Sequence, residues 1–184
     1  MKLNDNPRII ILKEFCSPKL CNDLIQKYIE GLERSQVVDM QKNTAVSDRT
    51  STSKLLDNND YPINKLLSSL SERLELSKAN CEPVVFTQYL QGEEYKPHFD
   101  AFIKPSNKNQ RTHTAILYLS KCIGGETFFD NLNITITPSI GDVCFFENCL
   151  ANTDYINPGS LHSGLKVLEG TKYIMTFWFR RNVF

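Results

Sequence analysis

The chain has 184 residues, of which 41% are hydrophobic and 23% are charged, and its formal net charge is zero. This composition is that of one globular domain that can bury a core, and it gives no electrostatic reason to expect nucleic acid or an anionic membrane as a partner. No segment has the roughly 18 consecutive apolar residues of a membrane span, and the N-terminal apolar run is too short for a secretory signal. We therefore expect a soluble, intracellular protein.

The first third of the chain predicts one strand and two amphipathic helices. The strand is RIIIL, residues 8–12. Ser17 is a typical N-cap and Pro18 a typical first helical residue, so the first helix begins there. Its apolar residues at helical spacing are Leu20, Leu24, Ile25, Tyr28, Ile29 and Leu32. A second helix is predicted over about 62–77. Its apolar stripe contains Ile63, Leu66, Leu67, Leu70 and Leu74.

From Pro83 onward the chain changes to short segments rich in β-branched and aromatic residues, such as PVVFTQYL, HTAILYL, DVCFF and KYIMTFWFR. Gly, Pro, Asn or Asp separates them, which is typical of consecutive strands. Many short strands in this length favour a jelly-roll sandwich or barrel. We therefore predict one α+β, mainly β domain over 1–184. Helical support over about 1–80 would brace one outer face of a double-stranded β-helix (jelly-roll) core over about 81–184.

The stretch YKPHFDAF places His98 and Asp100 two positions apart in a predicted strand. Residues i and i+2 of a strand share a face, so both side chains would point into one pocket. The next histidine with a suitable setting is His162, in PGSLHSGLKV. Two histidines and one carboxylate form the facial triad that holds non-haem Fe(II) and leaves coordination positions open. His113 has no acidic neighbour, and we interpret it as structural.

The last predicted strand, KYIMTFWFR, would alternate between two faces. Lys172, Ile174, Thr176 and Trp178 share one face, and Tyr173, Met175, Phe177 and Phe179 share the other. A lysine that points into the barrel needs an anionic partner, because a buried unpaired ammonium is costly. A surface lysine on an edge strand is the alternative interpretation of Lys172.

Several segments together resemble the prolyl 4-hydroxylase family of Fe(II)/2-oxoglutarate dioxygenases. They are QYLQGEEYKPHFD, AILYLSKCIGGETFF, PSIGDVCFFEN, SLHSGLKVLEGTKY and FWFRRN. DRTSTSKLL resembles the Arg-Thr-Ser segment that helps to bind peptide in that family. The resemblance covers roughly residues 8–184, and by size the chain is most similar to the short, soluble members from algae, bacteria and large viruses. One departure is Lys166, where proline is usual.

The resemblance implies a cofactor set and a role for each site residue. The cofactors would be Fe(II), the cosubstrate 2-oxoglutarate, O2 and L-ascorbate. The iron ligands would be His98, Asp100 and His162. Lys172 would pair with the C5 carboxylate of 2-oxoglutarate, with Tyr89 and Thr127 as further hydrogen-bond donors to it.

The resemblance also implies hydroxylation of prolyl residues at C4, with succinate and CO2 as products. Trp178 falls where the family places an active-site aromatic, and Arg49, Ser51 and Arg111 fall where family members contact the peptide. The partner would be a proline-containing peptide or protein. The polar segment AFIKPSNKNQ, residues 101–110, would be a lid over the site.

Two alternatives stay open at this stage. One keeps iron and 2-oxoglutarate but changes the substrate to another side chain, a free amino acid or a small molecule, since fold and cofactors do not fix the substrate. The other is a jelly-roll binding module without catalysis. The sequence does not indicate the oligomeric state.

Overall fold

A computed structural model describes residues 1–35, 48–103 and 109–184. Residues 104–108 of the predicted lid therefore lie outside the described residues. The helices are α1 (Pro18–Tyr28) and α2 (Tyr61–Leu74), and short 3-10 turns lie at Lys78–Asn80 and Pro158–Ser160. The strands are β1 (Lys2–Asp5), β2 (Arg8–Leu12), β3 (Glu33–Arg34), β4 (Thr52–Leu55), β5 (Val85–Tyr89), β6 (Tyr95–His98), β7 (Arg111–Tyr118), β8 (Ile123–Gly124), β9 (Thr127–Phe129), β10 (Ile134–Ile136), β11 (Val143–Glu147), β12 (His162–Gly164), β13 (Val167–Glu169) and β14 (Lys172–Arg180).

The strands form two main antiparallel sheets. The larger sheet has the order β1-β2-β11-β7-β14-β5-β4-β3, the smaller has the order β10-β9-β12-β6, and β13 pairs with β8. One buried cluster joins the facing sides of the two sheets. It includes Ile116, Tyr118 and Ile174 from the larger sheet and Phe129 and Ile136 from the smaller one. The predicted jelly-roll core is confirmed.

Both helices pack on the outer face of the larger sheet, as predicted. The stripe of α2 is buried throughout and shares a cluster with Met175, Phe177 and Phe179 of β14. Because these three residues face the helices, the alternate residues of β14 face the opposite sheet. Lys172 is among those alternate residues, and its side chain is buried. The alternation of β14 therefore directs a lysine between the two sheets.

The structure differs from the sequence predictions at three local points. Helix α2 ends at Leu74 because Glu75 adopts a left-handed conformation with φ 58°. In α1, Leu20 was predicted on the buried face but is 36% exposed, whereas Cys21, Leu24 and Tyr28 are buried; the helix ends at Tyr28, before the predicted Leu32. Strands β1, β3 and β4, which the sequence analysis did not identify, extend both edges of the larger sheet.

No helix in the part of the chain that the structure describes is long and apolar enough to cross a membrane. His113 packs its ring against Phe145, with ring centroids 5.5 Å apart and nearly parallel planes. Phe145 belongs to the cluster under the helices. His113 therefore lies on the outer face of the larger sheet, which agrees with its structural interpretation.

Candidate active site

Three side chains converge between the two sheets and could hold a metal ion. His98 ends β6, His162 begins β12, and the two are register partners on neighbouring strands of the smaller sheet. His98 Nε2 lies 3.6 Å from Asp100 Oδ1, and His162 Nε2 lies 3.8 Å from Asp100 Oδ2. The potential ligand atoms all lie within 4.8 Å of one another. Two imidazoles and one carboxylate at this spacing suit a ferrous ion with open coordination positions.

Asp100 reaches this cluster in a way that the sequence argument did not anticipate. The prediction relied on two residues of one strand sharing a face. Strand β6 ends at His98, and Asp100 lies in the bend that follows. The bend, rather than strand alternation, therefore directs the carboxylate toward the two histidines.

Backbone carbonyl groups orient both imidazoles. His98 Nδ1 lies 2.8 Å from the Lys96 carbonyl oxygen, and His162 Nδ1 lies 2.9 Å from the Ser160 carbonyl oxygen. A proton on each Nδ1 leaves each Nε2 as a free acceptor for a metal. The ring of Tyr95 stacks on His98 with a centroid distance of 3.5 Å, which further restricts the rotation of that imidazole.

A buried hydrogen-bond chain supports Asp100 from the larger sheet. Thr114 Oγ1 donates to Asp100 Oδ2 at 2.7 Å, and Asn148 Nδ2 donates to Thr114 Oγ1 at 2.9 Å. The backbone carbonyl of Asn148 in turn accepts from Ser160 Oγ at 3.2 Å, and the backbone carbonyl of Ser160 is the partner of His162. Asn148 thus links the supports of the carboxylate and of one histidine. The sequence analysis identified neither Thr114 nor Asn148.

The electrostatics of the cluster favour the protonation states that bind metal. Burial raises the pKa of Asp100. The adjacent His162 and His98 and the hydrogen bond from Thr114 lower it by more, so the net pKa lies well below its ordinary value. Burial, assisted by the nearby His98, lowers the pKa of His162 to about 4. The carboxylate is therefore ionised and His162 is neutral near pH 7.

Lys172 lies in the same cavity as the three-residue cluster. The cavity has a volume of about 430 Å³, including the part open to solvent, and Tyr89, Thr127 and Trp178 also line it. Lys172 is 3% exposed, and burial lowers its pKa to about 8. No described residue accepts a hydrogen bond from its Nζ, which lies 5.4 Å from the centroid of the Tyr89 ring. A buried ammonium that forms no ion pair with a described residue suits an anionic ligand.

The other residues predicted around Lys172 also line the cavity. Tyr89 is its register partner on β5. The hydroxyl groups of Thr127 and Tyr118 lie 2.7 Å apart, so Tyr118, which the sequence analysis did not select, fixes the hydroxyl of Thr127. The indole Nε1 of Trp178 is buried and has no hydrogen-bond partner among the described residues.

The residues predicted to contact a peptide lie at different depths. Arg49 lines the cavity, and its guanidinium donates to Ser51 Oγ at 3.0 Å and to Thr87 Oγ1 at 3.1 Å. Ser51 is 0% exposed and lines neither the cavity nor the groove beside it, so in this structure it supports Arg49. Arg111 binds both carboxylate oxygens of Glu82 at 2.5 and 2.7 Å, and its guanidinium lies 3.9 Å from the Trp178 ring centroid.

A wider groove of about 1460 Å³, including its open part, adjoins the cavity. The two spaces share Arg49, Tyr95, Asp100 and Trp178 as lining residues. Arg111, Glu82 and Phe99 line only the groove. We call this space the outer groove. It gives an extended molecule a path to the metal-binding cluster.

Comparison with known proteins agrees with this arrangement. The model of the 2OG-Fe(II) oxygenase superfamily matches residues 84–180. The chain is 27% identical over 183 residues to a putative prolyl 4-hydroxylase of Acanthamoeba polyphaga mimivirus. The aligned region covers 95% of this chain and 74% of that protein. It is 30% identical over 201 residues to prolyl 4-hydroxylase 1 of Arabidopsis thaliana, and the aligned region covers 96% of this chain and 70% of that protein.

Solved structures show the same fold. The 2OG complex of the viral collagen prolyl hydroxylase vCPH from Paramecium Bursaria Chlorella virus-1 superposes with a TM-score of 0.78 and 27% identity, covering 94% of this chain and 95% of that chain. A prolyl-4-hydroxylase from Pseudomonas putida superposes with a TM-score of 0.64 and 17% identity, covering 95% and 92% of the two chains. At that identity the second likeness concerns the fold alone.

Proposed function

Since the chain belongs to the 2OG-Fe(II) oxygenase superfamily and, within it, to the prolyl 4-hydroxylases, we propose that it hydroxylates prolyl residues of peptides or proteins at C4. The reaction consumes 2-oxoglutarate and O2 and yields succinate and CO2. The observation that supports this proposal most is the placement of a His-Asp-His cluster and a buried, unpaired lysine in one cavity.

The metal would be held by His98, Asp100 and His162. When bound, Fe(II) with 2-oxoglutarate and O2 supplies the oxidising chemistry of this family. The protein side of the reaction is the preparation of the ligands. Carbonyl groups hold each Nδ1, so that each Nε2 is free, and Thr114 holds the ionised Asp100. We include L-ascorbate in the proposal as the reductant that keeps the iron ferrous.

The cosubstrate would lie with its C5 carboxylate against Lys172. The ammonium is buried and has no described hydrogen-bond acceptor, so the carboxylate would supply both the counter-charge and the acceptor. Tyr89 and Thr127 line the same part of the cavity and would donate further hydrogen bonds. Gly125, with φ +69°, leaves room for the lysine, because a Cβ there would lie 3.2 Å from Lys172 Cδ.

The peptide would lie in the outer groove, with the reacting proline beside Trp178. Arg49 and Arg111 would contact the peptide directly, and Ser51 would act through Arg49, with which it is hydrogen-bonded. Trp178 lines both the cavity and the groove, so it would separate the bound cosubstrate from the peptide.

The experiment is an assay of CO2 release from labelled 2-oxoglutarate with Fe(II) and ascorbate, combined with mass spectrometry of proline-containing peptides. We expect peptide to stimulate CO2 release and proline to gain one oxygen atom. His162→Ala abolishes both signals, whereas His113→Ala, on the outer face of the sheet, keeps them.

Three other outcomes would contradict the proposal in different ways. Turnover with free proline and with no peptide points to a small-molecule oxygenase. Hydroxylation of a side chain other than proline points to a different peptide substrate. Failure to bind metal, measured by calorimetric titration of Mn(II), points to a binding module without catalysis.

A further inference from the structure

We propose that the outer groove selects proline-containing segments that carry acidic side chains beside the proline. This inference rests on the proposed hydroxylation of peptides and specifies the class of peptide. It follows from the charges that line the groove. The cationic lining residues are Arg34, Arg49, Lys54 and Arg111, and the anionic ones, apart from Asp100 of the metal-binding cluster, are Glu33 and Glu82.

Arg49 carries a positive charge that the described residues leave without a counter-ion. Its side chain is 7% exposed, and its hydrogen-bond partners are the neutral hydroxyls of Ser51 and Thr87. The ring of Tyr95 lies 4.9 Å from its guanidinium carbon. A buried guanidinium is costly unless it meets an anion. Its position, where the groove meets the cavity, offers that place to an acidic group of the bound segment.

A second excess of positive charge lies beside the groove, around Glu82. Glu82 contacts Arg111 Nε at 2.5 Å, and the same Oε1 atom lies 2.5 Å from Arg180 Nε, a close contact without hydrogen-bond geometry. One carboxylate therefore serves two guanidinium groups. The three side chains together keep one net positive charge beside the groove, which Arg111 and Glu82 line and Arg180 does not.

Lys54 also lines the groove, but its ammonium lies on the helix side of the larger sheet, because Lys54 is opposite Phe86 in the register and both Phe86 and Tyr28 belong to the cluster under the helices. Its Nζ donates to the backbone carbonyl of Glu30 at 2.6 Å and lies 5.7 Å from the Tyr28 ring centroid. No ion pair of Lys54 with a described residue exists. Arg34, by contrast, lies 3.7 Å from Glu93, so its charge is partly compensated.

The apolar lining completes the fit to a peptide segment. Trp178 and Phe99 line the groove near the metal-binding cluster, and Leu55, which is 70% exposed, lines its outer part. Aromatic rings suit the compact, apolar pyrrolidine ring of proline. Cations around an aromatic surface favour a proline with acidic neighbours and disfavour one with basic neighbours, because like charges across an interface are repelled.

The test uses three peptides of equal length with one central proline, flanked on both sides by Glu, Gln or Lys. We expect kcat/KM to fall in the order Glu, Gln, Lys, with about tenfold between the extremes at low salt, since each partly exposed charge pair contributes about 0.2–1 kcal/mol. The difference shrinks as ionic strength rises.

Arg49→Gln should raise the KM of the Glu-flanked peptide by about two- to fivefold and reduce the preference for it. The matched control is Lys19→Gln, which removes the same charge from the exposed side of α1 and leaves all three kcat/KM values unchanged. Lys19 pairs with Asp23 and lines neither the cavity nor the groove. Equal thermal melting of both variants excludes a folding defect.

The outcomes separate this inference from the proposed function. Equal kcat/KM for the three peptides, or a preference for the Lys-flanked one, overturns the acidic selectivity and leaves peptide hydroxylation intact. Hydroxylation of none of the three overturns both. An equal loss of preference in Arg49→Gln and Lys19→Gln contradicts the assignment to the outer groove, because overall net charge would then account for the effect.

Discussion

Replacing Lys172 by methionine should make the cosubstrate-free protein more stable and its binding of 2-oxoglutarate weaker. Methionine keeps most of the aliphatic volume and removes the ammonium. Burial lowers the pKa of Lys172 from 10.5 to about 8. That difference corresponds to roughly 3 kcal/mol of destabilisation at pH 7, which the substitution removes in part.

The same ammonium should contribute to cosubstrate binding by a comparable amount. A hydrogen bond to a charged group contributes about 1.5–3 kcal/mol, so the KM for 2-oxoglutarate should rise about 10- to 150-fold in Lys172→Met. The opposite signs of the two effects distinguish a ligand-binding lysine from a structural one.

The pH dependence has a definite sign. The folded-state pKa of Lys172 lies below its unfolded value, so the unfolded chain binds more protons between about pH 8 and pH 10.5. The destabilisation is fully present below pH 8 and disappears as pH rises through this window. The stability difference between Lys172→Met and the wild type should therefore close toward pH 10.

Urea unfolding of the metal- and cosubstrate-free protein at pH 7 and pH 9.5, with the KM for 2-oxoglutarate at pH 7, measures all three quantities. Lys166→Met is the matched control, because Lys166 is exposed and should change neither stability nor KM appreciably. A less stable Lys172→Met protein at pH 7, or an unchanged KM, would refute the reasoning.

Three further predictions concern the support of Asp100 and the packing of the fold. Thr114→Val removes the donor to Asp100 and should weaken Mn(II) binding about 10- to 100-fold in calorimetry; unchanged affinity would show that this donor is dispensable. Gly141→Ala should destabilise the fold far more than Gly31→Ala in urea unfolding, because both have positive φ but only at Gly141 does an added Cβ lie 2.0 Å from a backbone oxygen; equal losses would contradict this. Phe177→Ala should cost about 3–5 kcal/mol of unfolding free energy. A loss below 1 kcal/mol would mean that the surrounding core residues move in to fill the cavity left by the ring.

The features that follow from local alternation were predictable from the sequence. The faces of β14 and the stripe of α2 are confirmed, because side-chain direction within one element depends only on its periodicity. The same argument placed Asp100 correctly near His98 but for the wrong reason, since a bend after the strand provides the geometry.

The supporting residues were not predictable in the same way. Thr114 and Asn148 meet because β7 and β11 are neighbours, with Phe146 opposite Thr114 in the register. Glu82 is similarly distant in sequence from the two arginines that it contacts. Local patterns carry no information on which strands pair, and short edge strands such as β3 have too few residues for a periodic signal.

The indole of Trp178 has a consequence for the order of events in the proposed reaction. It lines both the cavity that contains Lys172 and the outer groove. A displacement of a side chain that lines two spaces changes the shape of both. The cosubstrate in the cavity and the peptide in the groove should therefore change each other's binding affinity. A cosubstrate that binds first and fixes the indole would order part of the surface that the peptide contacts.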